Sequence, residues 1–289
     1  MRGRMFADRL VTQRVDLRAI ETMIFSNPPL VELVAELRWL PGMVDSEALQ
    51  SGAQSAVLRF PLSAPSEESF ARFSAAVGTK GFTMSERLVP VGFPSLPYSV
   101  VYRFRKPPRE GENYLYQIGA GVFSANALPP YRDWDSFRPM VREGVEALLT
   151  SRPKSEDREF THVILRYIDL FSPEFTEDKS SFQFLNEILG IRVQLPPALA
   201  EQAAHASRIQ SGLQLSLPLK NELSMNLTLQ EGTAAGKSGI VMTTEVLGLK
   251  PTSPQADRVM EMLERAHTSI RATFLGLTER LRDKMKPVQ

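Results

Sequence analysis

The sequence predicts an α+β fold: two tandem β-α-β-β-β-α units with mainly antiparallel sheets and a long C-terminal helix. Three observations lead there. Several runs alternate apolar and polar residues with the period of two that marks a half-wet strand. Other runs repeat apolar residues every three or four positions, as one buried helix face requires. The order of these runs is the same on both sides of Ser151-Arg152-Pro153-Lys154-Ser155. Direct identity between the halves is not obvious, so the repeat is one of pattern. Packing rules for antiparallel sheets with helices on one face fit such a unit.

The elements follow in order. Asn27-Pro28-Pro29 fixes an extended lead-in. Val31, Leu33, Ala35, Leu37 and Trp39 then alternate with Glu32, Val34, Glu36 and Arg38, and Pro41-Gly42 ends that strand. Ser66 to Val77 reads as a helix, with Phe70, Phe73 and Val77 on one face. Three strands are expected near 82–91, 97–106 and 113–125; Gly119 and Gly121 mark a bulge or a close backbone approach in the third. A helix over 135–150 closes the half, with Pro139 near its first turn. The second half opens with a strand from Phe160 to Phe171 and a short helix from Ser180 to Leu189. Strands near 208–219, 222–230 and 239–248 follow, and a helix from Ser253 to Met285 ends the chain. The predicted organisation is an N-terminal extension over 1–26, a first half over 27–152 and a second over 153–289.

Composition excludes several chemistries. The 289 residues are 43% hydrophobic and 23% charged, enough for a sizeable core and ordinary for a folded chain. A net charge of +1 supplies no global field for nucleic acid or anionic membrane, so there is no strong nucleic-acid signal. With no cysteine there can be no disulfide, thiolate nucleophile or cysteine-held metal. No stretch approaches the roughly 20 apolar residues that span a bilayer. The first 21 residues have no apolar core before a cleavage site, so the expected location is cytoplasmic.

Motifs for catalysis are missing. His162, His205 and His267 show no metal-ligand spacing, and no Gly-x-Ser-x-Gly elbow occurs. Gly232 to Ser238 imitates a phosphate loop but is one residue short and runs on into a strand; a hairpin loop is the expectation. Glu32 and Glu36 share a strand face, four residues or about 13.6 Å apart in rise, and read either as paired carboxylates for acid–base work or as a solvated face. Neither a cofactor nor a metal is expected.

Some of the phrasing is specific: Asn27-Pro28-Pro29-Leu30-Val31-Glu32 leading to Glu36-Leu37-Arg38-Trp39; Tyr116-Gln117-Ile118-Gly119 followed by Asn126 and Trp134; Leu165-Arg166-Tyr167-Ile168-Asp169; then His267 and Phe274. From about residue 27 to the C-terminus the chain resembles a sporadically distributed family of uncharacterised bacterial proteins. The resemblance implies a bacterial cytoplasmic protein gained and lost between strains, as toxin–antitoxin and phage-defence genes are.

Gln117, Asn126, Arg166 and Asp169 are polar groups beside apolar ones on predicted strands or strand exits, and such groups need partners when buried. They form either an internal network, with Arg166 buried and paired at the junction of the halves, or a ligand site there together with Trp134 and Tyr167. Tyr98, Tyr102, Tyr116, Trp134 and Tyr167 either line a cleft or pack the core. The leading expectation is a non-catalytic binding or regulatory protein in a mobile bacterial defence or toxin–antitoxin-like module. The alternative is a small-molecule sensor with a cleft between the halves, and a carboxylate-dependent hydrolase or nuclease comes third. The partner is accordingly a protein or a small-molecule ligand, with no membrane, and a homodimer is left open. A pocket between the halves with converging polar groups would favour the sensor; a flat apolar patch would favour the protein partner.

Overall fold

The structure, a computed structural model, describes residues 23–41, 64–91, 93, 96–107, 113–130, 133–156, 158–205 and 208–288. The predicted extension therefore lies outside the described residues up to position 22. So does the question of whether residues 1–22 contribute to folding.

The fold is α+β, with a nine-stranded sheet in which every neighbouring pair is antiparallel. Its strands are β2 (Leu30–Arg38), β3 (Met84–Arg87), β4 (Val100–Arg105), β5 (Tyr114–Gly119), β6 (Val122–Ala127), β7 (His162–Phe171), β8 (Leu213–Pro218), β9 (Leu223–Ala234) and β10 (Lys237–Gly248). Their order across the sheet is β3-β4-β5-β6-β2-β7-β10-β9-β8. The sheet is thus continuous across residues 152 and 153: β2 of the first half lies directly against β7 of the second, with Leu37 level with Val163 and Val34 level with Arg166. A short β1 (Ile24–Phe25) pairs with β11 (Pro287–Val288).

Three long helices cover one face: α1 (Ala64–Gly78), α2 (Trp134–Ser151) and α6 (Ala256–Leu277). Phe70, Phe73 and Val77 of α1, Phe137, Val141 and Val145 of α2, and Val259, Leu263 and Ile270 of α6 form one core with Leu33, Leu37, Phe123, Leu165 and Met225. The short helices α3 (Pro173–Thr176), α4 (Ser181–Gln183), α5 (Pro197–Ala200) and α7 (Arg282–Met285) belong to the second half. A second cluster, with Phe171, Phe175, Phe184, Leu229, Met242, Leu281 and Met285, sits at that end.

Several boundaries differ from expectation for identifiable reasons. The strand expected over 113–125 is two strands, β5 and β6, joined at Ala120-Gly121. Gly121 has φ of +74°, and a Cβ there would lie 2.5 Å from the Trp39 carbonyl, so glycine is required. The first half therefore carries four strands between its long helices where three were expected. At Gly119 a Cβ would come 1.8 Å from the Ser99 carbonyl, opposite the register shift between Val100 and Tyr102: this is the close approach that the glycine permits. Helix α2 starts at Trp134 and continues through Pro139, its first turn closed by a capping box in which Asp133 accepts from the Ser136 amide at 2.7 Å. The C-terminal helix does not reach 285 unbroken. It ends at Leu277, where Thr278 caps it, with both its backbone N–H and its hydroxyl donating to the Phe274 carbonyl. The segment that imitates a phosphate loop is a tight hairpin: Ala235 and Gly236, both with positive φ, turn β9 into β10.

Candidate functional site

The site is assembled by the period of two in β7. Tyr167 and Asp169, two residues apart, point to the helix-covered face; Arg166 and Ile168 point to the other. Beneath the helices, Tyr167 and Asp169 reach a cavity of about 90 Å³. Helix α6 presents His267, Ile270, Arg271 and Phe274 to it, residues at i, i+3, i+4 and i+7 of one face. Trp134, at the start of α2, forms a wall, and Met23 to Phe25 with Pro28 and Leu30 close it from the N-terminal side. That closure is held by the β1–β11 pair and by the Arg271 guanidinium, which donates to the Met23 carbonyl. The cavity is therefore lined from both halves of the chain.

Its walls are mostly apolar and its polar groups are few. The His267 ring lies 5.0 Å from that of Trp134 and nearly parallel to it, and its Nδ1 is hydrogen-bonded to the Tyr167 hydroxyl at 2.7 Å. Burial, with the nearby Arg271 charge adding to it, pushes His267 down to about 4, so the imidazole is neutral at pH 7. The Trp134 indole donates to Glu264 at 2.9 Å. Asp169 is only 3% exposed, and among the described residues its carboxyl makes no hydrogen bond or ion pair. Burial pushes this carboxyl up to about 8. At neutral pH it is an uncharged acid, able both to donate and to accept.

No family model, curated protein or solved structure matches the chain. The chemistry of the site must therefore be read from its own residues.

Of the six sequence-nominated binding residues, Trp134, Tyr167 and Asp169 meet at this cavity. Gln117, Asn126 and Arg166 lie on the opposite face of the sheet, in a row of polar contacts that crosses the strands. Gln117 bridges the Ser124 hydroxyl at 3.3 Å and the Arg103 guanidinium at 3.2 Å. Ser124 donates to Asn126 at 2.8 Å, and Asn126 to Glu32 at 2.7 Å. Arg166 donates from Nε and Nη2 to Glu245 at 2.9 and 2.6 Å and sits 3.6 Å from Glu36, which Arg38 also holds. Asn226 continues the row from Glu245, and Ser216 from Asn226. Arg166 is half-buried, between two glutamates, whereas the sequence suggested full burial among apolar neighbours; those neighbours face the other way or stand further along the strand. Glu32 and Glu36 do share a face, but each has its own donors, Asn126 for the first and two arginines for the second. They do not form an acid–base pair.

The aromatic set separates as well. Tyr116 is core, its hydroxyl donating to the Met140 carbonyl at 2.6 Å; Tyr102 packs against Phe70 with its ring tilted; Tyr98 is exposed with Arg38 over its ring. His267 and Arg271 are the cavity residues that the sequence reading missed. The heptad-like spacing of 267, 270, 271 and 274 within an apolar helix face could have pointed to them. Among the described residues, no group of three histidine or acidic side chains could hold a metal, and no helix is long and apolar enough to cross a membrane.

Proposed function

We propose that the chain is a small-molecule-binding protein, a sensor whose ligand occupies the cavity between the two halves and meets Asp169. The observation that carries the reading is the buried carboxyl with no partner among the described residues, aimed into a cavity lined by Trp134, Tyr167 and His267. A leucine or methionine in its place would make the fold more stable, because burying an unpaired polar group costs about 1–3 kcal/mol. Strain of this kind is retained where it serves a site. The walls suit a compact, largely apolar ligand, or the end of a larger one, carrying an amine or hydroxyl that Asp169 can bind. No step of catalysis is required.

The same reading makes the two halves copies of one β-α-β-β-β-α unit. What supports it is the mirrored sheet order, β4-β5-β6-β2 against β7-β10-β9-β8, with the cavity formed where the copies join. Membership in a mobile bacterial defence or toxin–antitoxin-like module rests on the sequence resemblance alone, and the identity of neighbouring genes tests it.

The binding test is a panel of small amines and alcohols, read by thermal shift and confirmed by calorimetry on the wild type and on Asp169→Asn. Supporting compounds raise the wild-type melting temperature and lose at least tenfold in affinity on the variant. Ligands that bind both proteins equally, or a panel of this chemistry with no binder, would overturn the proposal.

A further inference from the structure

We propose that β8 is the seam of a homodimer, pairing antiparallel with β8 of a second copy so that the two sheets become one. This surface is separate from the cavity and does not depend on the ligand reading.

The two edges of the sheet are built differently. Edge strand β3 has four residues and ends in Glu86 and Arg87. Arg87 is tied down by Glu67 at 3.0 Å and donates to the Val89 carbonyl at 2.7 Å. Short, charged and pinned, it has the features that stop an edge from recruiting another strand. The opposite edge, β8, reads Leu213-Gln214-Leu215-Ser216-Leu217-Pro218. It carries no charge, its register with β9 is unbroken, and no described strand lies on its outer side. Gln214 to Pro218 are all exposed, Leu215 at 36% and Leu217 at 40%. Leu213, Leu215 and Leu217 stand level with buried Leu229, Leu227 and Met225, so they prolong the apolar, helix-side face of the sheet past its covered part.

A second copy is the occupant that this pattern fits, because the strand complements itself. Residues directly opposite in an antiparallel pair point to the same face. A two-fold axis through Leu215 therefore sets Leu215 against Leu215 of the second copy and Leu213 against its Leu217. All six leucines then meet on the helix side. On the other face Ser216 comes level with Gln214 of the second copy, which carries the polar row Arg166–Glu245–Asn226–Ser216 across the seam. Moving the axis to Gln214 sets Leu217 against Ser211, and moving it to Ser216 uses Leu219, already packed against the core, as the partner of Leu213 and sets Gln214 against Pro218, which has no N–H to return. At the ends, Pro218, which has no N–H to offer, meets Gly212 and closes the ladder.

The chain contains no cysteine, so single cysteines report the seam without background. Light scattering on the eluting full chain at tens of micromolar should give twice the 32.3 kDa of one copy. Leu215→Cys should form a disulfide-linked dimer under mild oxidation, since directly opposed Cβ atoms lie within bonding reach. Met84→Cys, more exposed on the guarded edge β3, should not. Leu215→Lys with Leu217→Lys should halve the mass while keeping the wild-type circular dichroism. A wild type that runs at the single-chain mass overturns the proposal. So does a dimer in which Leu215→Cys crosslinks no faster than Met84→Cys, whatever the lysine variant does.

Discussion

Replacing Asp169 by asparagine keeps the shape of the side chain and removes its titration. In the unfolded chain this carboxyl has its ordinary value near 3.8; burial in the cavity pushes it up to about 8. The folded state therefore holds a proton that the unfolded state has released, and the wild type loses stability as pH rises from the lower value to the higher. The slope is one proton, about 1.4 kcal/mol per pH unit, and the full separation corresponds to on the order of 5 kcal/mol. The asparagine variant has no such slope. Between pH 6.5 and 7.5 the other titrating cavity group, His267, is neutral in the fold, and its titration in the unfolded chain is common to both proteins and cancels in their difference, so the comparison isolates Asp169. Denaturant unfolding of both proteins across that window should show Asp169→Asn gaining on the wild type by roughly 1 kcal/mol per pH unit, and being the more stable protein at pH 8. The gap should shrink towards pH 5. Parallel stability curves would mean that Asp169 is ionised or paired in the folded protein, and would remove the ground for a ligand at the cavity.

His267 is pushed down to about 4 by burial, so its own contribution to stability falls as pH drops from 6.5 towards 4, opposite in sign to that of Asp169; His267→Gln removes this contribution and should gain on the wild type as pH falls through that range in denaturant titrations. Arg166→Ala leaves Glu36 to Arg38 and Glu245 to Asn226, and since the site is half-buried the cost should be about 1–3 kcal/mol, below that of a fully buried pair. Arg166→Lys should recover only part of it, having no planar fork to reach both glutamates, and an unchanged denaturation midpoint in Arg166→Ala would show the polar row to be idle. Gly144→Ala puts a methyl 2.5 Å from the Tyr116 ring and 2.8 Å from Phe123, so despite alanine's better helix propensity it should lose roughly 1–2 kcal/mol by thermal or denaturant unfolding.

The sequence announces the elements whose burial is one-sided. β2, β9, β10 and the long helices α2 and α6 are visible because one face of each is apolar and the other polar. The β5–β6 hairpin is not separable there, because its turn is only Ala120-Gly121 and apolar residues run through both strands. The pairing of β2 with β7 leaves no local trace, since nothing in either strand names a partner more than a hundred residues away. The site is legible in part. Parity along β7 already places Tyr167 and Asp169 on one face and Arg166 on the other, which divides the three nominated residues of that strand as the structure does. What parity cannot supply is the third dimension: that the helix carrying His267 and Arg271 packs over the Tyr167 side.

The seam between β2 and β7 also sets the tempo of folding. Leu33 lies beside Tyr167, and at the rim Ile24 lies beside Val288, so the middle of the sheet and the clasp over the cavity both close loops of very long sequence separation. Each half can gather its own hairpins early, but the search that brings the two halves into register pays the loop entropy before any contact rewards it. β10, inserted between β7 and β9, leaves a ribosome after both of them. Until it arrives, β7 presents an open edge, and the clasp that shapes the cavity waits for Pro287 and Val288.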